Sequence, residues 1–268
     1  MMPSIIIHFL MNHDKVKIEI SDEECDIIKQ SASKINMITS ETDYCLMLRD
    51  NLLDAFNDFA TNGPGTDKNF NRLNRYIMNW LNSFYAWIGF HERHYKDLFS
   101  VLKTKYYDTY FEYRFAYAMR KFTTHQALCV RRTTFDALKE TTRFEIPIND
   151  ILKYSKEMKK SFIVELISLK DTCEFIDLEQ FTRGFFTMFE LFQSELWETI
   201  IPQTDIECEK LCSFAMPYMD KPITRYYLID NNGDETNMNT VINHYFKKKK
   251  TISLSEEMKK FLLSPDSS

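Results

Sequence analysis

The chain has 268 residues and a formal net charge of −5, with 44% hydrophobic and 15% aromatic residues, 22 Phe and 14 Tyr, but only five Gly and seven Pro. That length can bury a large core, while the negative balance excludes nucleic-acid binding by overall electrostatic attraction, so any such site has to be a local basic patch. Six scattered cysteines, Cys25, Cys45, Cys129, Cys173, Cys208 and Cys212, exclude a disulfide framework and suit a reducing cytosol.

The first eleven residues, MMPSIIIHFLM, lack a basic start and a small-residue cleavage site, so they do not read as a signal peptide. No run approaches the roughly 18–20 apolar residues of a membrane-spanning helix. A soluble, cytoplasmic protein without membrane association or cofactor is expected. Few helix breakers and many long apolar side chains predict a mainly α fold: one domain over 1–268, with a helical bundle over about 21–215.

In chain order, Val16, Ile18 and Ile20 alternate with Lys17 and Glu19 and predict an extended segment. Ser21 followed by Glu24 is a capping box and predicts a helix start. Helices are expected over most of 22–36 and 41–61, and NGPGT at 62–66 is the clearest break. Leu73, Ile77, Trp80, Phe84, Trp87 and His91 recur at spacings of four and three, the seam of a long central helix over 72–96. The next helix is expected over about 108–126, with Phe111, Phe115, Ala118, Met119 and Phe122 on its core face.

The β-branched stretches 129–135 and 141–147 predict a short hairpin after that helix. Helical pattern returns over about 150–171 and 178–201, where Phe181, Phe185, Met188, Phe189, Phe192 and Leu196 form a stripe. Strands over 223–229 and 241–246 around the DNNG turn predict a small C-terminal β appendage over 220–246, and 247–268 reads as a polar tail that begins with four lysines.

Chemistry concentrates in the helix with YRFAYAMRKFTTH at 113–125. From 113 to 132 the chain holds Arg114, Arg120, Lys121, Arg131 and Arg132 without one Asp or Glu, a local patch that phosphate binding would need. The bland alternative is that cations near a helix C-terminus complement its dipole. Five residues of helix turn the chain so that Arg120 and His125 stand about 140° and about 7.5 Å apart, whereas Arg114, Lys121 and His125 fall within about 40° of one another. One helix does not aim Arg120 and His125 at the same phosphate, but two copies in a symmetric dimer do. Tyr113 and Tyr117 are the tyrosines placed to stack unpaired bases; Tyr106, Tyr107 and Tyr110 read as packing between helices.

Other candidates are weaker. His91 and His94 are three apart, not the four of a zinc helix, and read as exposed end-of-helix residues. Cys208 and Cys212 lack a second pair and read as buried small residues, while the 230–235 segment lacks the alternating ligands of a calcium loop and reads as a turn. No metal site is expected.

RKFTTH at 120–125 resembles the signature of the HEPN (higher eukaryote and prokaryote nucleotide-binding) superfamily, an arginine, four to six residues, then a histidine; Lys121 stands where that superfamily usually has Asn, Asp or His. YDTYFEYR at 107–114 and the preceding long helix also resemble uncharacterised bacterial proteins with an arginine-asparagine version of the motif, so the likeness covers about 66–130. The resemblance implies a helical bundle that forms a homodimer and a metal-independent endoribonuclease, commonly a toxin or antiviral effector. In that reading Arg120 stabilises the phosphorane and His125 moves the protons, with RNA as substrate. The patch itself assigns RNA binding to Arg114, Lys121, Tyr113, Tyr117, Arg131 and Arg132. The alternatives are a non-catalytic module that binds nucleic acid, nucleotide or a partner protein, with Lys121 marking a decayed site, and a structural or adaptor subunit of a defence complex; an antitoxin or defence-system protein is a further expected partner.

Overall fold

The computed structural model describes residues 2–9, 15–61, 67–125, 128, 130, 132–136, 141–153, 155–214, 216–218 and 223–252. Its elements are β1 (Ser4–Phe9), β2 (Lys15–Glu19), α1 (Asp22–Thr61), α2 (Asp67–His94), α3 (Lys96–Thr109), α4 (Phe111–His125), β3 (Arg132–Asp136), β4 (Thr141–Pro147), α5 (Ile148–Leu152), α6 (Lys160–Thr172), β5 (Phe175–Asp177), α7 (Leu178–Ser213), β6 (Ile223–Ile229), β7 (Glu235–Asn237) and α8 (Met238–Ile252), with short 3-10 turns at Ser155–Glu157 and Met216–Tyr218. The protein is mainly α, as expected. Among the described residues no helix is long and apolar enough to cross a membrane. The chain divides into two compact units, one of Met1–Asp43 with Trp197–Ser268 and one of Tyr44–Leu196.

The unit Tyr44–Leu196 is built on the α2 seam. Leu73, Ile77, Trp80, Phe84, Trp87 and His91 are all sealed from solvent, as a 3.6-residue period requires when one helix face meets the core. The Phe stripe of α7 packs on them: Phe185 lies edge-on to Trp80 and Phe84, and Phe189 and Phe192 lie edge-on to Trp87, with centroids 4.8–5.1 Å apart. These are the arrangements that ring quadrupoles favour. Helix α7 is also joined to α1 by an ion pair in which Arg49 of α1 donates Nε and Nη2 to the Glu190 carboxylate at 2.8 and 2.7 Å. Gln193 accepts a further bond from Arg49 Nη2 at 3.1 Å.

Several expectations for this unit are corrected. The helix expected over 108–126 begins at Phe111, and residues 96–109 form a separate helix, α3. Residues 150–171 are not one helix but α5, a 3-10 turn and α6. The hairpin is present as β3 and β4 with Thr134 opposite Arg143, but β5 adds a third strand through the Ile146–Ile176 pair. The break at 62–66 lies outside the described residues.

The other unit contains the sheet β2-β1-β6-β7, all antiparallel. The C-terminal strands therefore join the N-terminal pair instead of forming an appendage. Residues 241–246, expected as a strand, are in α8, and so are the lysines expected to open a polar tail. The period explains it: Met238, Val241 and Tyr245 are buried at helical spacing. Residues 253–268 of that expected tail lie outside the described residues. The turn after β6 forms as read, with Asp230 Oδ1 accepting from the backbone N–H groups of Asn232 and Asp234 and with Gly233 at φ +87°.

The capping box also forms: Glu24 N donates to Ser21 Oγ at 3.2 Å and Ser21 N to Glu24 Oε2 at 2.8 Å. Helix α1 then runs unbroken through residues 37–40, where a gap was expected. Thr39, Ser40 and Thr42 turn their hydroxyls back on the Asn36 and Ile38 carbonyls, so they bond within the helix instead of capping it. Ile35 and Ile38 bury the apolar face across the same stretch.

Two expected outcomes follow. Phe192, fully buried and in ring contact with Trp87, Phe99, Tyr106 and Tyr113, leaves a large void when truncated; Phe192→Ala costs about 3–5 kcal/mol, measured by urea unfolding. Glu207 sits among Ser31, Lys34 and Lys210; burial alone raises its pKa, but the bonds from Lys34, Ser31 and Lys210 outweigh that and hold it at about 2, against 4.5 ordinarily. Because the folded value is depressed, this contribution is complete above pH 4.5 and is lost as pH falls toward 2. Glu207→Gln therefore lowers Tm at pH 7 and flattens the decline of Tm across that window, read by circular dichroism.

Candidate functional site

Helix α3 ends where Tyr110 takes an extended conformation, φ −105° and ψ 122°. A helix end leaves carbonyls without intrahelical partners, and here Arg114, one turn into α4, supplies them. Its Nη1 donates to the Tyr107 and Asp108 carbonyls at 2.7 and 3.0 Å, and its Nη2 donates to both oxygens of Glu165 on α6 at 2.8 and 2.9 Å. One guanidinium thus ties the C-terminus of α3 and the side of α6 to α4, which only a planar five-donor group can do.

Beside this corner lies a cavity of about 550 Å³ lined by α2, α3, α4 and α6 with the segment before α6. Five cations border it, Lys96, Lys103, Arg114, Lys121 and Lys159, against one carboxylate, Glu92. Glu92 is held by Lys103. Lys159 lies 4.2 Å above the Tyr107 ring and 3.4 Å from Asp108, and Lys121 Nζ lies 5.2 Å from the Tyr117 centroid. The remaining wall is aromatic and apolar: Tyr107, Tyr113, Tyr117, Ala118, Met158 and Phe162. A positive rim over flat rings suits an anion that carries an apolar body.

Tyr113 is the most constrained member. It is fully buried, edge-on to Phe84 and 6.0 Å from Tyr107, yet its hydroxyl has no hydrogen-bond partner among the described residues. Burial first, and then the charge of Glu92, push its pKa well above the ordinary tyrosine value, so it remains an O–H donor. Burial also raises Tyr107, against the opposing influence of Arg114.

Four of the residues read from sequence as RNA contacts, Arg114, Lys121, Tyr113 and Tyr117, are therefore gathered on one cavity. Their roles differ: Arg114 is committed to the helix corner, and Tyr113 is buried where an exposed stacking ring was expected. Arg132 is elsewhere, on β3, bound to Glu145 at 3.1 Å and 4.1 Å above the Phe175 ring. Arg131 lies outside the described residues. Lys96, Lys103 and Lys159 were not singled out from sequence; the signal available was only that lysines occur at the start and middle of α3 and just before α6.

Arg120 does not line the cavity. Its guanidinium lies 4.0 Å above the Tyr85 ring of α2, with Nε sealed and unbonded. Tyr85 in turn neighbours Tyr117 of the cavity wall at 6.1 Å. His125 is the last residue of α4; its side chain lies outside the described residues. Arg120 and His125 both belong to α4.

His91, expected at an exposed helix end, is fully buried; its Nδ1 is 2.8 Å from the Trp87 carbonyl and its ring stacks on Phe99. His94 is exposed, as expected. Cys208 is buried and Cys212 half-buried. Among the described residues no group of three or more His, Cys, Asp or Glu side chains could hold a metal ion. No protein-family model, curated protein or solved structure matches the chain.

Proposed function

We propose that this protein binds RNA through the basic cavity on α3, α4 and α6. The observation that carries the reading is the lining itself, five cations against one carboxylate in a chain of net charge −5. Phosphates bind to such a rim by displacing counterions, and the rings beneath offer faces on which unpaired bases stack. Single-stranded RNA suits the site better than a duplex, whose bases are already stacked.

A second reading, cleavage of the bound RNA, is favoured by Arg120. Among the described residues its guanidinium has no carboxylate partner, and it is held in place over Tyr85, so it is available to a phosphate at little reorganisation cost. In a homodimer, Arg120 of one protomer faces a phosphate approached by His125 of the partner subunit. The 2′-hydroxyl attacks phosphorus, His125 accepts its proton, and the 5′-oxygen of the next nucleotide leaves with a proton returned by an imidazolium, which gives a 2′,3′-cyclic phosphate. The reaction requires no metal. The cellular settings that fit are toxin and antiviral defence, with an antitoxin or defence-system partner to restrain the enzyme; an adaptor role in a defence complex is the non-catalytic counterpart.

Fluorescence anisotropy with single-stranded RNA tests binding. Affinity falls with salt, and Lys96→Glu with Lys121→Glu weakens it at least tenfold and flattens the salt dependence; unchanged binding by the double variant overturns the RNA reading. Cleavage is measured with a chelator present: Arg120→Ala and His125→Ala each reduce the rate at least a hundredfold, and a fully 2′-deoxy strand is spared. Equal rates for wild type and both variants overturn the ribonuclease reading while leaving RNA binding intact.

A further inference from the structure

The cavity has more specificity built into it than a track for an RNA backbone needs. We propose that it is a site for one nucleoside 5′-monophosphate unit, held by its terminal phosphate at the cationic rim, by its base against the rings, and by one hydrogen bond from the Tyr113 hydroxyl. This deepens the RNA-binding reading and rests on its account of the cavity as an anion site. The unit could come from a free mononucleotide or from the 5′-phosphorylated end of an RNA, and the chemistry recognised is the same.

Three observations carry the proposal. First, about 550 Å³ is the scale of a small-ligand pocket, and the wall combines cations with apolar rings. A nucleotide has the matching division into an anionic end and a flat base. Second, the excess of cations suits a terminal phosphomonoester, which carries about −1.5 to −2 charges, better than an internal diester with a single charge. Lys96, at the rim, forms no ion pair among the described residues. Third, a buried hydroxyl without a protein partner costs stability unless a function retains it. Tyr113 itself lines the cavity, together with Glu92, Tyr107 and Tyr117. Phenylalanine would fill the same aromatic niche between Phe84 and Tyr107 without that cost.

Isothermal titration of the full chain with adenosine 5′-monophosphate, adenosine and inorganic phosphate tests the proposal, beside competition by two otherwise identical single-stranded RNAs that bear a 5′-phosphate or a 5′-hydroxyl. The monophosphate is expected to bind at least tenfold tighter than either adenosine or inorganic phosphate alone. Tyr113→Phe is expected to weaken the monophosphate about fivefold to tenfold, the loss of one hydrogen bond, while Tm in the absence of nucleotide stays level or rises. A purely structural tyrosine would lower Tm and leave affinity unchanged, and that pattern overturns the role of Tyr113. Lys121→Ala on the rim provides a second variant that spares the core, and it too weakens the monophosphate. Preference for the 5′-phosphorylated RNA assigns the unit to an RNA end, and competition by neither RNA assigns it to a free nucleotide. Adenosine binding as tightly as the monophosphate, or no monophosphate binding at all, overturns the inference. RNA bound without competition from the monophosphate leaves the RNA reading standing alone; monophosphate bound by a protein that ignores RNA does the reverse.

Discussion

The aromatic contact between α2 and α7 is the constraint on which the unit Tyr44–Leu196 depends. Trp80, Phe84 and Trp87 from one helix and Phe185, Phe189 and Phe192 from the other interlock edge to face. Each large ring buries much apolar area and fixes the angle of its neighbour, so the interface has little freedom to slide. Phe192 extends this cluster to Phe99 and Tyr106 of α3 and to Tyr113 of α4. The helices that border the cavity are therefore positioned by the core and not by the charged groups at its rim.

Upon that frame Arg114 sets the local geometry. An α3 that continued past Thr109 would carry Tyr110 and the residues after it along the α3 axis, away from Tyr113's place in the core. The chain instead turns at Tyr110, and Arg114 compensates for the turn by hydrogen-bonding the exposed carbonyls and Glu165. A residue of this kind resembles a ligand-binding arginine in sequence, because both are cations beside aromatic side chains. What separates the two is occupancy of the donors. Arg114 has spent its Nη donors within the protein, whereas Arg120, six residues onward, rests over Tyr85 with no carboxylate partner among the described residues. The cation placed for structure and the cation available for a phosphate lie on the same helix.

The unit formed by Met1–Asp43 and Trp197–Ser268 uses polar groups differently. Its sheet joins strands from the two ends of the sequence, with Ile7 of β1 opposite Tyr226 of β6. Glu207 draws Ser31 and Lys34 of α1 onto α7, and Tyr245 of α8 donates to Asp205. These bonds satisfy half-buried carboxylates that would otherwise be costly to desolvate, and none of them involves the candidate site.

The sequence by itself determined the elements whose signals are local. The α2 seam, the α7 stripe, the Ser21–Glu24 box and the turn at Asp230 follow from periodicity and from bonds between residues three or four apart. It also named Arg114, Lys121, Tyr113 and Tyr117 among the expected RNA contacts, from a local run of cations without Asp or Glu and the tyrosines within it. The errors occurred where distant partners decide the outcome. Residues 37–40 stood between two expected helices, and the hydroxyls of Thr39 and Ser40 there can either cap or back-bond; residues 241–246 looked like a strand because their β-branched residues fit either element until burial of Met238, Val241 and Tyr245 chose the helix. Only the tertiary structure decided that Arg114 is a clasp, that Tyr113 is a buried donor, and that Lys96, Lys103 and Lys159 complete a cavity with them. Donor occupancy and burial depend on what packs from elsewhere in the chain, and no window of sequence contains that information.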